Sequence, residues 1–179
     1  SRHGDLLYVC GYGQLINYDS LTTTGGYTLI LNTSGVVQSL FRNFNSTLIV
    51  RVDHEGNAIV YTQDSGYQGT YHVQAKYSST GVQQWASLIV PFTVPFGKCI
   101  DPNNNIFSAS TLSGLTFYFN KKDPDGNIIL SQNFGPTSGH SAQSMIYSDS
   151  DELIAAGFCS NGLAFGNTTI TSNGMRDAC

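Results

Sequence analysis

Charge is what this sequence has least of. Asp, Glu, Lys and Arg make up 11% of its 179 residues, with only two Glu and four Lys, about half the usual share. The residues that normally cover helix surfaces are therefore nearly absent, which excludes a helical bundle. Eight basic side chains against twelve acidic ones leave a net charge of −4, which argues against nucleic acid and anionic membranes as partners. No long hydrophobic run is present either. The most apolar stretch, Trp85 to Phe96, is twelve residues long and interrupted by Pro91 and Pro95, too short and too broken for a membrane span. The four cysteines, Cys10, Cys99, Cys159 and Cys179, form no CxxC pair and have no histidine at metal-binding spacing, so neither a metal nor any other cofactor is expected.

Neutral polar groups and aromatics take the place of charge. Ser, Thr, Asn and Gly supply 69 of the 179 residues, and 10 Tyr, 10 Phe and one Trp provide material for a core. That aromatic content sets the chain apart from a disordered one. Three N-glycosylation sequons occur, at Asn32, Asn45 and Asn167, each in a predicted turn or loop, where a glycan would be tolerated. With the low charge, they point to an extracellular or cell-surface protein carrying N-linked glycans. Cys159 and Cys179 flank one Gly/Asn-rich loop, and a hairpin there would bring them within disulfide reach.

The strongest signal is a repeat. Turns led by Asp53, Asp101 and Asp149 stand 48 residues apart, each with a short apolar run on either side. The pattern reads strand, tight turn, strand, with Asp as the acceptor that closes the turn and Gly or Asn taking the left-handed position. A second hairpin lies between those turns, with glycines at Gly35, Gly81 and Gly126. In its middle copy Tyr71, Val73, Ala75 and Tyr77 alternate with His72, Gln74 and Lys76, the period of a half-buried strand. Residues 2–9 read as one more copy lacking its first strand. Each period thus carries four short strands, the signature of a β-propeller blade. The predicted class is all-β, with four-stranded antiparallel blades of a propeller, incomplete in this chain at about 13 strands. The repeats run over roughly 1–53, 54–101, 102–149 and a partial 150–179, forming a single segment over 1–179. A Greek-key sandwich is the alternative, and the equal Asp spacing favours the propeller.

Tyr71 to Trp85 (YHVQAKYSSTGVQQW) and Asp123 to Phe134 (DPDGNIILSQNF) resemble the β-propeller-repeat, or SBBP-type, pattern. In that pattern a Lys-aromatic or Lys-Leu pair ends a strand and is followed by a Gly turn and a Trp. Phe165 to Ala178 is similar to the loop leading into that family's next strand. Lys76, Lys121 and Trp85 match the pattern; Ile30, Ser39 and Leu130 depart from it. The resemblance implies a four-stranded blade whose strand before each Asp turn is innermost. It implies no activity.

Candidate chemistry is sparse. Asp123-Pro124-Asp125-Gly126-Asn127 has the look of a calcium loop but lacks the later ligands, and hairpin chemistry explains the same residues. His3, His54, His72 and His140 stand in no motif, and no GxSxG elbow is present. Trp85, Tyr77, Phe117, Phe119 and Phe134 read as core; Tyr12, Tyr18 and Tyr67 are the candidates for exposed contacts. The reading that results is a non-enzymatic extracellular structural or assembly protein. Its partners would be other protein chains or the remainder of a longer chain, and two copies forming one ring is a variant of the same idea. A soluble module recognising carbohydrate or protein through rim loops is the alternative, and an enzyme with a channel site is a third.

Overall fold

In the computed structural model the described residues are all except 19–20, 43–45, 67–68, 90–92, 113–115, 135–140, 160–162, 166–167, 171–176 and 179. Among them every regular element is a β-strand and every pairing is antiparallel. The first sheet takes β1 (Arg2–His3), β2 (Leu6–Tyr18), β3 (Leu21–Asn32) and β4 (Val37–Arg42) in that order. The second takes β5 (Ser46–Val52), β6 (Ala58–Gly66), β7 (Gly69–Tyr77) and β8 (Gln83–Ile89). The third takes β9 (Thr93–Ile100), β10 (Ile106–Leu112), β11 (Thr116–Lys122) and β12 (Ile128–Phe134). All three are simple meanders, without the long return connection that a Greek key requires. The fourth sheet joins β13 (Ser141–Tyr147), β14 (Leu153–Cys159) and β17 (Asp177–Ala178), and β15 (Leu163–Phe165) pairs with β16 (Thr168–Ile170). The seventeen described strands exceed the expected thirteen because β1, β15, β16 and β17, of two or three residues each, are too short to show a period.

Among the described residues one turn recurs six times, and it explains why these residues fold as hairpins. A residue with a short side-chain oxygen caps each turn. Its oxygen accepts the backbone N–H groups two and four residues on, and its own N–H donates to the carbonyl four residues on. The caps are Asn32, Asp53, Ser78, Asp101, Asp123 and Ser148. In the Ser78 turn the bond from two residues on is replaced by a contact between Ser78 Oγ and Thr80 Oγ1. The residue three past each cap has positive φ: Gly35, Gly56, Gly81, Asn104, Gly126 and Asp151. This is the three-residue hairpin with a left-handed bulge position, which Gly and Asn adopt most easily. The turn expected at Asp149 is capped by Ser148 instead. A serine hydroxyl does the same work as a carboxylate there, so the true cap lies one residue earlier than the Asp spacing implied.

The chain divides into two compact units, Ser1–Pro91 and Phe92–Cys179. In the first, Tyr8 and Ile30 of the first sheet pack on Val50, Ala58, Val60, Ala75 and Tyr77 of the second, with Leu6, Cys10, Phe41 and Val52 at the margin. The Phe41 and Tyr77 rings lie 5.1 Å apart and tilted, a geometry aromatic pairs favour. In the second unit, Cys99, Phe107 and Ala109 of the third sheet pack with Met145 of the fourth, and Phe119, Tyr147 and Leu153 complete the cluster. Tyr147 stacks on Phe107 at 5.6 Å.

Strand register is the same in the first three sheets. Tyr8 pairs with Ile30, Ile59 with Lys76, and Phe107 with Lys121, each pair two residues before the cap of the second hairpin. Ser39, Trp85 and Leu130 then occupy one position on the outer strands, as aligning the repeats implies. On this register each sheet has two distinct faces. The Tyr8/Ile30 face of the first sheet covers the Ala58/Ala75 face of the second. In the second unit the Phe107/Phe119 face of the third sheet, which corresponds to Tyr8/Ile30, covers the Met145/Leu153 face of the fourth, which corresponds to Val50/Ala58. Both contacts therefore join the same two faces in the same sense.

Candidate functional site

Among the described residues two features stand out from the scaffold: an ionic latch inside the sheets, and exposed apolar residues on the far faces of the first and fourth sheets. The latch begins at the Asp53 cap. Oδ1 of Asp53 accepts from the N–H of Glu55 and Asn57, and Asn57 Nδ2 donates to Oδ2 at 2.9 Å. From β7, Lys76 places Nζ 2.9 Å from the same Oδ2, with both side chains almost fully buried. Burial by itself would raise the Asp53 carboxyl; hydrogen bonds from Asn57 and Lys76 and the Lys76 charge outweigh it and hold the group below the usual carboxylate range. The third sheet repeats the arrangement more loosely. Asn105 Nδ2 donates to Asp101 Oδ2 at 2.8 Å, while Lys121 Nζ stands 3.7 Å from that oxygen and over the Phe107 ring. In the first sheet the corresponding positions are His3 and Ile30, so both partners change together.

The latch corrects one sequence expectation. β7 is buried on both faces, not on one: His72, Gln74 and Lys76 are as inaccessible as Val73, Ala75 and Tyr77. Gln74 Nε2 donates to Tyr61 Oη at 2.9 Å, and Lys76 is neutralised by Asp53. Polar alternation here marks a second packed face, on which Gln74 and Lys76 are paired inside the protein.

On the far side of the first sheet, Leu7–Leu31–Val37 and Val9–Leu29–Leu40 form two cross-strand apolar rows, the first ending at Arg2 on β1; Leu7 is 43% exposed and Val9 37%. At its turn end a groove of about 290 Å³ is lined by Arg2, Leu6, Leu7, Leu31, Asn32 and Thr33, with Gly35. On the far side of the fourth sheet Ile146 pairs with Ile154 and Ser144 with Ala156; Ile146 is 56% exposed and Ile154 48%. Sequence reasoning missed these residues. Their signal was apolar character at successive positions along β2 and β14, beyond what one packed face needs.

The remaining candidates are placed as follows. Asn32 caps its turn through Oδ1; Asn45 and Asn167 lie outside the described residues. Cys159 ends β14 opposite Asp177 of β17, two residues short of Cys179, which is itself outside the described residues, as are His140 and Tyr67. Asp123 Oδ1 and Oδ2 are taken by donors from Asp125 and Asn127, which makes the calcium-like segment a hairpin cap. Among the described residues no three His, Cys, Asp or Glu side chains gather as metal ligands. His54 is an exposed turn residue, Tyr12 is exposed, and Tyr77 is core. Trp85 is half-buried on the outer strand β8 rather than in a core cluster, because its register position lies at the sheet margin.

No family model matches the sequence, and no curated protein matches it. The fold is similar to the crystal structure of a protein of unknown function from Bacteroides caccae, with a TM-score of 0.56 and 10% identity over 96% of this chain. The present chain spans 57% of that protein's length. The likeness is one of fold alone.

Proposed function

We propose that this protein is a non-enzymatic structural and assembly scaffold of the propeller type, displayed outside the cell. Each four-stranded meander is read as a blade, with β5 and β9 innermost, in keeping with the resemblance to the β-propeller-repeat pattern. The observation that carries this reading is the sense of stacking: the same face covers the same opposite face in both units. Such an array continues by adding further sheets, because each added sheet presents a fresh apolar face. Low charge suits close contact between subunits, since few charges need to be desolvated. Several polar side chains are committed to structure: Asp53, Asp101 and Asp123 cap turns, and Lys76 and Lys121 pair with two of them. The three sequons support display outside the cell.

Native mass spectrometry of the protein recovered from its source tests the reading. The expected result is extracellular material in which the chain is held in assemblies heavier than 19.3 kDa. A lone chain of that mass, recovered from inside cells, overturns it.

A further inference from the structure

The far faces of the first and fourth sheets are complementary by the rule that governs the covered ones. The free face of the first sheet, with Leu7, Val9, Leu29 and Leu31, occupies the register positions of Ala58, Val60, Ala75 and Tyr77, which in the second sheet receive Tyr8 and Ile30. The free face of the fourth sheet, with Ile146 and Ile154, occupies the positions of Cys99 and Phe107, which in the third sheet cover Met145 and Leu153. One is a receiving face and the other a covering face. We infer that each is occupied by the other on a second copy of this chain, in a head-to-tail contact that continues the stacking seen within each unit. The inference rests on the assembly reading above and names its partner.

In the first unit the first-hairpin turn of one sheet abuts the matching end of its neighbour: Tyr8 Oη donates to Gly56 O, and the His3 ring lies beside Gly56. At that end the first sheet carries the exposed Arg2–Asp5 pair, 3.8 Å apart, and the fourth carries exposed Asp149, Asp151 and Glu152. A head-to-tail contact of this kind brings these two turn ends together. It closes into a ring where the rotation permits and otherwise extends as a filament.

Sedimentation equilibrium of the full chain and two surface double variants tests the contact. Leu7→Lys/Val9→Lys blocks the receiving face, and Ile146→Lys/Ile154→Lys blocks the covering face; all four positions are solvent-exposed, and unchanged circular dichroism and melting verify the fold. The wild type is expected to associate with rising concentration across the micromolar range, and each variant alone to associate at least about 100-fold more weakly. An equimolar mixture of the two variants is expected to form a dimer that grows no further, because one intact receiving face then meets one intact covering face. Three results overturn the inference: a wild type that stays at 19.3 kDa, variants that associate like the wild type, or a mixture that stays monomeric. Should native material hold the chain with other proteins while the purified chain is monomeric, the scaffold reading stands and the head-to-tail contact falls.

Discussion

Tyr8 Oη donates a 2.7 Å hydrogen bond to the carbonyl of Gly56, 48 residues further along the chain. The bond crosses from the first sheet to the first-hairpin turn of the second, one repeat length away, and both residues are buried. Burial pushes the Tyr8 phenol up, with the Asp53 charge adding to it, so the hydroxyl remains a donor throughout the neutral range. Tyr8→Phe keeps the ring in the core and deletes only the donor, leaving a buried carbonyl without that bond. The expected loss is about 1–2 kcal/mol, read as a lower urea midpoint with an unchanged slope.

The Asp53–Lys76 pair makes a sharper prediction. Lys76→Met removes the cation and leaves Asp53 buried with its turn donors, and Asp53→Asn leaves Lys76 buried without its carboxylate. Breaking one side of a buried pair costs about 3–5 kcal/mol, whereas replacing both sides by apolar or neutral groups is often close to neutral. The double variant Asp53→Asn/Lys76→Met is therefore expected to be more stable than Asp53→Asn alone, with a positive coupling in a double-mutant cycle. In the third sheet the ammonium of Lys121 is farther away and 28% exposed, so Lys121→Met is expected to cost about 1 kcal/mol or less. Equal losses at the two lysines would contradict the assignment of the tighter latch to the second sheet.

Gly81 and Gly35 hold corresponding turn positions with φ of 82° and 79°, yet their surroundings differ. A Cβ at Gly35 meets open space, while one at Gly81 would come within 2.9 Å of Phe41 Cβ. Gly35→Ala carries the left-handed backbone penalty alone, about 1–2 kcal/mol. Gly81→Ala carries that penalty and also displaces Phe41 from its contact with Tyr77, so it is expected to melt lower than Gly35→Ala. Thermal denaturation of the two variants side by side provides the measurement.

Much of this architecture was legible because hairpin chemistry is local. Asp53, Asp101 and Asp123 announce their turns through short acceptors and the Gly or Asn three residues on, and the strands between follow by alternation. The Ser148 turn was displaced by one residue because Ser and Asp stand side by side and either can cap. The double burial of β7 was not legible: His72, Gln74 and Lys76 look solvent-facing until Asp53, distant in sequence, is brought to Lys76. A clue existed in the joint change from Asp53 and Lys76 to His3 and Ile30, but without register no reason links those positions. Leu7, Val9, Ile146 and Ile154 escaped notice because apolar residues on both faces of a strand do not reveal which face is covered.

The pH dependence of stability should show two limbs of the same sign with different owners. The folded Asp53 carboxyl lies below its ordinary value, so the native state binds fewer protons than the unfolded one in acid. Its contribution is present above the unfolded carboxyl range and is lost as pH falls through the folded value. Asp53→Asn is expected to flatten that acid limb. On the alkaline side burial lowers Lys122 to about 8. The unfolded state then holds the extra proton between about 8 and the ordinary lysine value near 10.4, and linkage makes the Lys122 contribution rise with pH across that window, against the opposite contribution of Cys10, whose thiol burial pushes up. Lys122→Met should abolish the rise, whereas Asp53→Asn should leave it in place. Urea midpoints of the three proteins from pH 3 to pH 10, taken in steps of about one unit to resolve each titration, separate the limbs; an alkaline rise that survives in Lys122→Met would assign it to another group.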